Sequence, residues 1–181
     1  MTVYLPCHDR DLWVHMDADE IDAAIRHGVR MRKTSIARGH RDGAGGFGHR
    51  PPTSEQAMRS QCLGSLTEAI VRKGLNIDAP LTHETFNVAD LPGGIQVRCI
   101  GVEHYGLRVY ARDDLNWKVV GVVVPKGMER VSPYRIPGWI YAGDAQRDEW
   151  LIAPNDGPPM WAVPQEALSD ARELTFAVSV Q

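Results

Sequence analysis

The chain has no run of 18 apolar residues, which excludes a transmembrane helix of ordinary length. Its first fifteen residues lack a basic stretch leading into an apolar core, so no secretory signal is expected. Cysteine is scarce: Cys7, Cys62 and Cys99 are odd in number, widely spaced, and form neither a CxxC pair nor a zinc spacing. A reducing, cytoplasmic compartment with buried free thiols follows as the expectation. None of the seven histidines falls in an HxH or HExxH pattern, so each reads as a surface or core residue. The glycine-rich stretch at 43–48 is not followed by Lys-Ser/Thr, which excludes a phosphate-binding P-loop. The net charge of −3 argues against a protein that coats nucleic acid nonspecifically, although it leaves room for a local basic groove.

What is present is an ordinary globular composition, with 43% hydrophobic and 24% charged residues. At 181 residues the chain suits one domain spanning 1–181, since a domain averages about 150 residues. It can bury roughly 70% of its unfolded surface without a disulfide or metal staple. Asp17 is placed to cap a helix that runs to about His27, with Asp19 and Glu20 in the first turn and Gly28 as the stop. A second helix is predicted from about Ser54 to Lys73, started by Thr53 and Gln56 as a capping box and ended at Gly74. Met58, Cys62, Leu66 and Ala69 or Ile70 form its apolar stripe, and Gln61, Ser65, Glu68 and Arg72 lie on a neighbouring face.

Between these helices cations cluster: Arg26, Arg30, Arg32, Lys33, Arg38, Arg41 and Arg50 are accompanied by a single acid, Asp42. With five glycines in the same stretch, a basic loop at about 38–50 reads either as a solvated surface loop or as a phosphate-contacting arm. In the second reading Arg32, Lys33, Arg38, Arg41 and Arg50 contact a nucleic-acid backbone, because arginine forks match phosphate oxygens. Beyond the second helix the pattern becomes β. Residues 95–100 and 107–112 alternate, 118–124 is a β-branched run suited to a central buried strand, and 134–141 continues through Pro137-Gly138. A short helix is expected after Pro164. The fold class is α/β bordering on α+β, a central mixed sheet flanked by helices.

One cluster points to chemistry. Asp90 precedes a Pro92-Gly93-Gly94 turn, and Gln96 and Arg98 project from one face of the following strand. A carboxylate, a second oxygen donor and a cation two residues on is the layout of a metal-dependent phosphodiesterase. The carboxylate and oxygen hold Mg²⁺, and the cation stabilises developing charge. Read separately, Asp90 is also a common turn residue, Gln96 and Arg98 also suit the exposed face of a half-buried strand, and Glu68 also suits an i,i+4 pair with Arg72. Glu103-His104-Tyr105 could line the same end of the sheet. Cys62 or Cys99 could pair with a histidine as a nucleophile, though Cys62 falls on the apolar stripe and Cys99 alternates inward from Arg98. Trp139, Trp150 and Trp161 are either core residues or base-stacking platforms.

Three segments together carry a resemblance: Gln61-Cys-Leu-Gly64-Ser-Leu-Thr-Glu68, Asp90-Leu-Pro-Gly-Gly-Ile-Gln96-Val-Arg98, and Tyr134-Arg-Ile-Pro-Gly138-Trp139-Ile with Asp144-Ala-Gln-Arg. Between about Gly28 and Leu168 the chain resembles phage-type members of the PD-(D/E)XK nuclease-like superfamily. The resemblance implies a restriction-endonuclease-like fold, Mg²⁺ as cofactor, and cleavage of DNA. Asp90 corresponds to the metal-binding aspartate. Gln96 stands where Glu or Asp is usual, and Arg98 stands at the catalytic lysine. Relatives carry Gly-Glu in the helix, whereas Gly64 is followed here by Ser65, with Glu68 almost one turn along. The metal set implied is Asp90, Gln96 and Glu68. Three functions follow as expectations: an Mg²⁺-dependent nuclease, a degenerate relative that binds nucleic acid or a protein partner without cleavage, or a small accessory or virion-associated protein that uses none of these residues. A homodimer is implied by analogy with nucleases that cut two strands, and no membrane partner is expected.

Overall fold

A computed structural model describes residues 9–38, 53–80, 88–127, 129–152 and 159–176, with residues 175 and 176 described by backbone alone. A short strand β1 (Leu12–Val14) leads into helices α1 (Ala18–Ala37) and α2 (Ser54–Gly74). Strands β2 (Ile95–Ile100), β3 (Leu107–Tyr110), β4 (Lys118–Val123), β5 (Tyr134–Tyr141), β6 (Leu151–Ile152) and β7 (Met160–Val163) follow, with short 3₁₀ turns after β5 and β7. The fold is α+β with a central sheet in the order β1-β5-β4-β2 and a second, antiparallel sheet in the order β3-β7-β6. None of the described helices is long and apolar enough to cross a membrane.

Both helices start as expected. The Asp17 side chain accepts from Glu20 N while Glu20 reaches back to Asp17 N, each at 2.8 Å. Thr53 and Gln56 form the same reciprocal pair. The first helix does not stop at Gly28 but continues to Ala37. The reason is packing, because α1 crosses α2 at this point. A β-carbon on Gly28 would lie 2.7 Å from Cys62 Cα and 2.8 Å from the Gln61 carbonyl oxygen. The glycine is selected for close helix approach and not for helix termination.

The central sheet is mixed. Strand β2 runs parallel to β4, with Gln96 opposite Val119 and Arg98 opposite Gly121, whereas β4–β5 and β5–β1 are antiparallel. A parallel pair needs a crossover, and here the intervening chain builds it from β3, which joins the second sheet. One face of the central sheet packs Ile95, Val97, Val120 and Val122 against Leu66, Ile70 and Val71 of α2 and Ile21 and Ala24 of α1. The other face packs Val119, Val123 and Ile140 against Leu107, Val109 and Val163 of the second sheet. The helices therefore cover one face and the small sheet covers the other. Strand β5 tolerates Pro137-Gly138 because its neighbour changes there. Gly138 has φ +146°, and Trp139 exchanges backbone hydrogen bonds of 3.0 and 2.8 Å with Ser169. A β-carbon on Gly138 would sit 2.3 Å from the Ser169 oxygen.

A buried Arg135 ties the ends of the chain together. Its guanidinium meets Asp11 at 3.3 Å, Glu103 at 2.6 Å and Gln165 at 2.8 Å. Glu103 lies past the C-terminal end of β2 and Asp90 before its N-terminal end, so the 103–105 segment does not share an end of the sheet with the Asp90 turn.

Candidate functional site

The site assembles from α2, the 89–94 turn and the edge strand β2. Leu91 bridges to Ile95 around Pro92-Gly93-Gly94, and this hairpin folds Asp90 back along the free edge of β2. Asp90 Oδ2 accepts the Val97 N–H at 2.8 Å and also accepts from the Gln96 amide. Edge strands leave such N–H groups without a ladder partner, so the carboxylate seals one of them. Gln96 is only 6% exposed. The face expected to be exposed is instead covered, because β3 and the turn after it close over this end of the sheet.

Arg98 is fixed from the same side. Its Nη2 donates to Asp113 Oδ1 at 2.8 Å, and Asp113 Oδ2 accepts the Tyr110 N–H at 2.9 Å. The guanidinium carbon also stands 5.2 Å from the centre of the Tyr110 ring, within cation–π range. Asp113 is buried, and among the described residues Arg98 Nε is buried without a hydrogen-bond partner. Sequence reading missed Asp113. The available signal was the Arg112-Asp113-Asp114 turn after an alternating strand, where one of two adjacent acids points inward.

Glu68 reaches the same region from α2. Burial and the nearby Asp90 charge push its carboxyl up from 4.5 to about 8, against a smaller opposing pull from Arg72. Asp90 is also raised, by burial and by Asp113, although the Val97 N–H, Arg98 and Gln96 all oppose this. Asp90 and Glu68 thus resist being ionised together, as expected for two carboxyls sharing a poorly solvated site. Asp90 is the link between them: it accepts from Gln96 and feels the Arg98 charge on one side and the Glu68 carboxyl of α2 on the other. Ser65, by contrast, is buried at 3% and belongs to the helix packing.

The donor chemistry bears on Mg²⁺, which takes oxygen ligands and favours carboxylates. Two carboxyls that repel one another would be relieved by a cation between them, so Glu68 and Asp90 fit. Gln96 fits only if its amide turns, because it now donates to Asp90 instead of presenting its oxygen. Among the described residues no three of His, Cys, Asp and Glu converge on one point. The third position of the set is an amide, which is a neutral ligand.

The basic residues separate. Lys33 and Arg38 are exposed on α1 and at its C-terminal cap, whereas Arg32 is 8% exposed on the inner side of α1 with Met31 and Gly28. Arg32 is therefore not part of a solvent-facing arm, since its position in the helical repeat turns it toward the core. Arg41, Arg50 and the loop beyond Arg38 lie outside the described residues, as does Cys7. Cys62 is half-buried and its thiol is pushed up by burial, which leaves it unreactive. Cys99 is exposed, against the inward alternation expected, although Ile95 and Val97 on the same face of β2 are buried. Trp150 and Trp161 are half-buried against the second core, and Trp139 donates to the Asp170 carbonyl at 3.1 Å. No protein-family model, curated protein or solved structure matches the chain.

Proposed function

We propose that the chain acts on nucleic acid, with DNA the preferred substrate, as an Mg²⁺-dependent phosphodiesterase using Glu68, Asp90, Gln96 and Arg98. The observation that carries this reading is the electrostatic coupling of Glu68 on a helix to Asp90 on a strand-edge turn, beside an anchored cation. Glu68 and Asp90 would hold the metal. Bound there, Mg²⁺ would supply polarisation of a phosphoryl oxygen and activation of a water. Arg98, oriented by Asp113 and Tyr110, offers a rigid fork to a phosphate. It cannot take up a proton, so proton transfer falls to the carboxyl groups.

A second reading is favoured by one observation. Gln96 spends its amide on Asp90, and Arg98 is already paired with Asp113. A protein with these commitments would bind nucleic acid or a protein partner without cutting. Incubation of the chain with plasmid and linear duplex DNA in Mg²⁺, Mn²⁺ or EDTA separates the two. The hydrolytic reading expects metal-dependent nicking that Asp90→Asn and Glu68→Gln abolish. DNA binding in EDTA with no cleavage in either metal leaves the binder.

A further inference from the structure

We infer that the outward face of α1 is a track for the sugar-phosphate backbone of DNA, with Arg26, Arg30 and Lys33 each meeting a phosphate. The inference rests on the choice of nucleic acid made above, and not on the hydrolytic chemistry. These residues stand at i, i+4 and i+7, one stripe of a helix, and all three are exposed. From the first to the third the helix rises about 10.5 Å. One strand of duplex DNA advances about 3.4 Å per step, so the stripe spans about three steps, or four phosphates, of which the three side chains meet three.

The charges of α1 are divided along its length. Its acids, Asp19, Glu20 and Asp22, all lie in the first turns, and two of them are matched: Glu20 by Lys73 at 2.6 Å, Asp22 by Arg130. From Ala23 to Ala37 the helix has no acid. Among the described residues no carboxylate pairs with Arg26, Arg30 or Lys33. An unopposed cationic stripe without aromatic anchors suits a polyanion better than a folded protein surface, which is usually held by aromatic and apolar contacts.

The stripe also borders a cavity beside α2. Arg30 stands on the wall of a cavity of about 760 Å³ between α1 and α2, which Arg72 and Lys73 also line. Arg72 follows Glu68 by one helical turn, and its Nε is buried without a hydrogen-bond acceptor among the described residues.

The test uses the full chain in EDTA, with anisotropy of a fluorescein-labelled DNA duplex read from about 50 to about 200 mM salt. The wild type should bind with steep salt dependence. Arg26→Gln/Arg30→Gln/Lys33→Gln should flatten the slope of log K against log salt by about 2.7 and weaken binding at about 0.1 M salt by about a hundredfold or more. Arg108→Gln, on β3 of the second sheet, should leave both unchanged. Circular dichroism melts of all variants should coincide. An unchanged slope in the triple variant, or a wild type that does not bind the duplex at the lowest salt, overturns the inference. So does binding to anionic phosphatidylserine vesicles in preference to DNA. Plasmid nicking with an unaltered slope removes the track and keeps the hydrolytic site. A flattened slope without nicking in Mg²⁺ does the reverse.

Discussion

Replacing Glu68 by Gln should stabilise the protein at alkaline pH and leave it almost unchanged in mild acid. The folded carboxyl ionises near 8 instead of 4.5. Between those values the unfolded chain has released the proton and the folded chain retains it, so folding stability falls as pH rises through this window. A displacement of that size corresponds to at most about 5 kcal/mol. Partial exposure of the side chain reduces the expected penalty to about 2–3 kcal/mol. At pH 9 the glutamine variant avoids that penalty and should melt about 5–10 °C higher than the wild type, given about 2–4 °C per kcal/mol for a chain of this size. At pH 5 the two should melt together. Thermal unfolding by circular dichroism across the range reads this directly. A variant that melts with the wild type at both pH values would show that Glu68 is a solvated surface carboxyl and that its coupling to Asp90 is negligible. Addition of Mg²⁺ or Mn²⁺ at pH 8 should raise the melting temperature of the wild type and not of the variant.

Three other perturbations follow from the same geometry. Gln96→Glu adds a third carboxylate and should tighten Mn²⁺ binding about tenfold by isothermal titration, with no change expected if Gln96 is only a packing residue. Asp113→Ala strands Arg98 in a covered position and should cost about 3–5 kcal/mol in urea unfolding, most of it recovered in Arg98→Met/Asp113→Leu. Gly28→Ala should cost about 1–3 kcal/mol by forcing α1 away from α2, and an unaltered unfolding midpoint would show that the crossing has slack.

Much of the fold was legible locally. The Thr53–Gln56 capping box placed the start of α2, and alternation placed β2 and most of β3, because each signal is contained within a few residues. What was not legible depends on partners distant in sequence. Gly28 reads as a stop when α1 is considered alone and as a contact once α2 is packed on it. The small sheet was hidden for the same reason: β6 has two residues, and β7 acquires its role only by pairing with β3 more than fifty residues earlier. At the site, Asp90, Gln96 and Arg98 were singled out from type and spacing, and Glu68 from the resemblance. Their mutual constraint was not, since the acid that holds Arg98 comes from a turn in the other sheet. Arg32 was misread because a run of cations looks uniform until the helical repeat assigns each one a direction.

Asp90 Oδ2 guards the exposed margin of β2 by occupying the Val97 amide. Loss of that carboxylate would leave an open hydrogen-bonding template on the last strand of the sheet, inviting a neighbouring molecule to add its own strand. An alanine at this position is therefore prone to self-association as well as to loss of a ligand, and a purified Asp90→Ala protein that precipitates says nothing about catalysis. Asparagine, which keeps an oxygen facing that amide, separates guarding from chemistry.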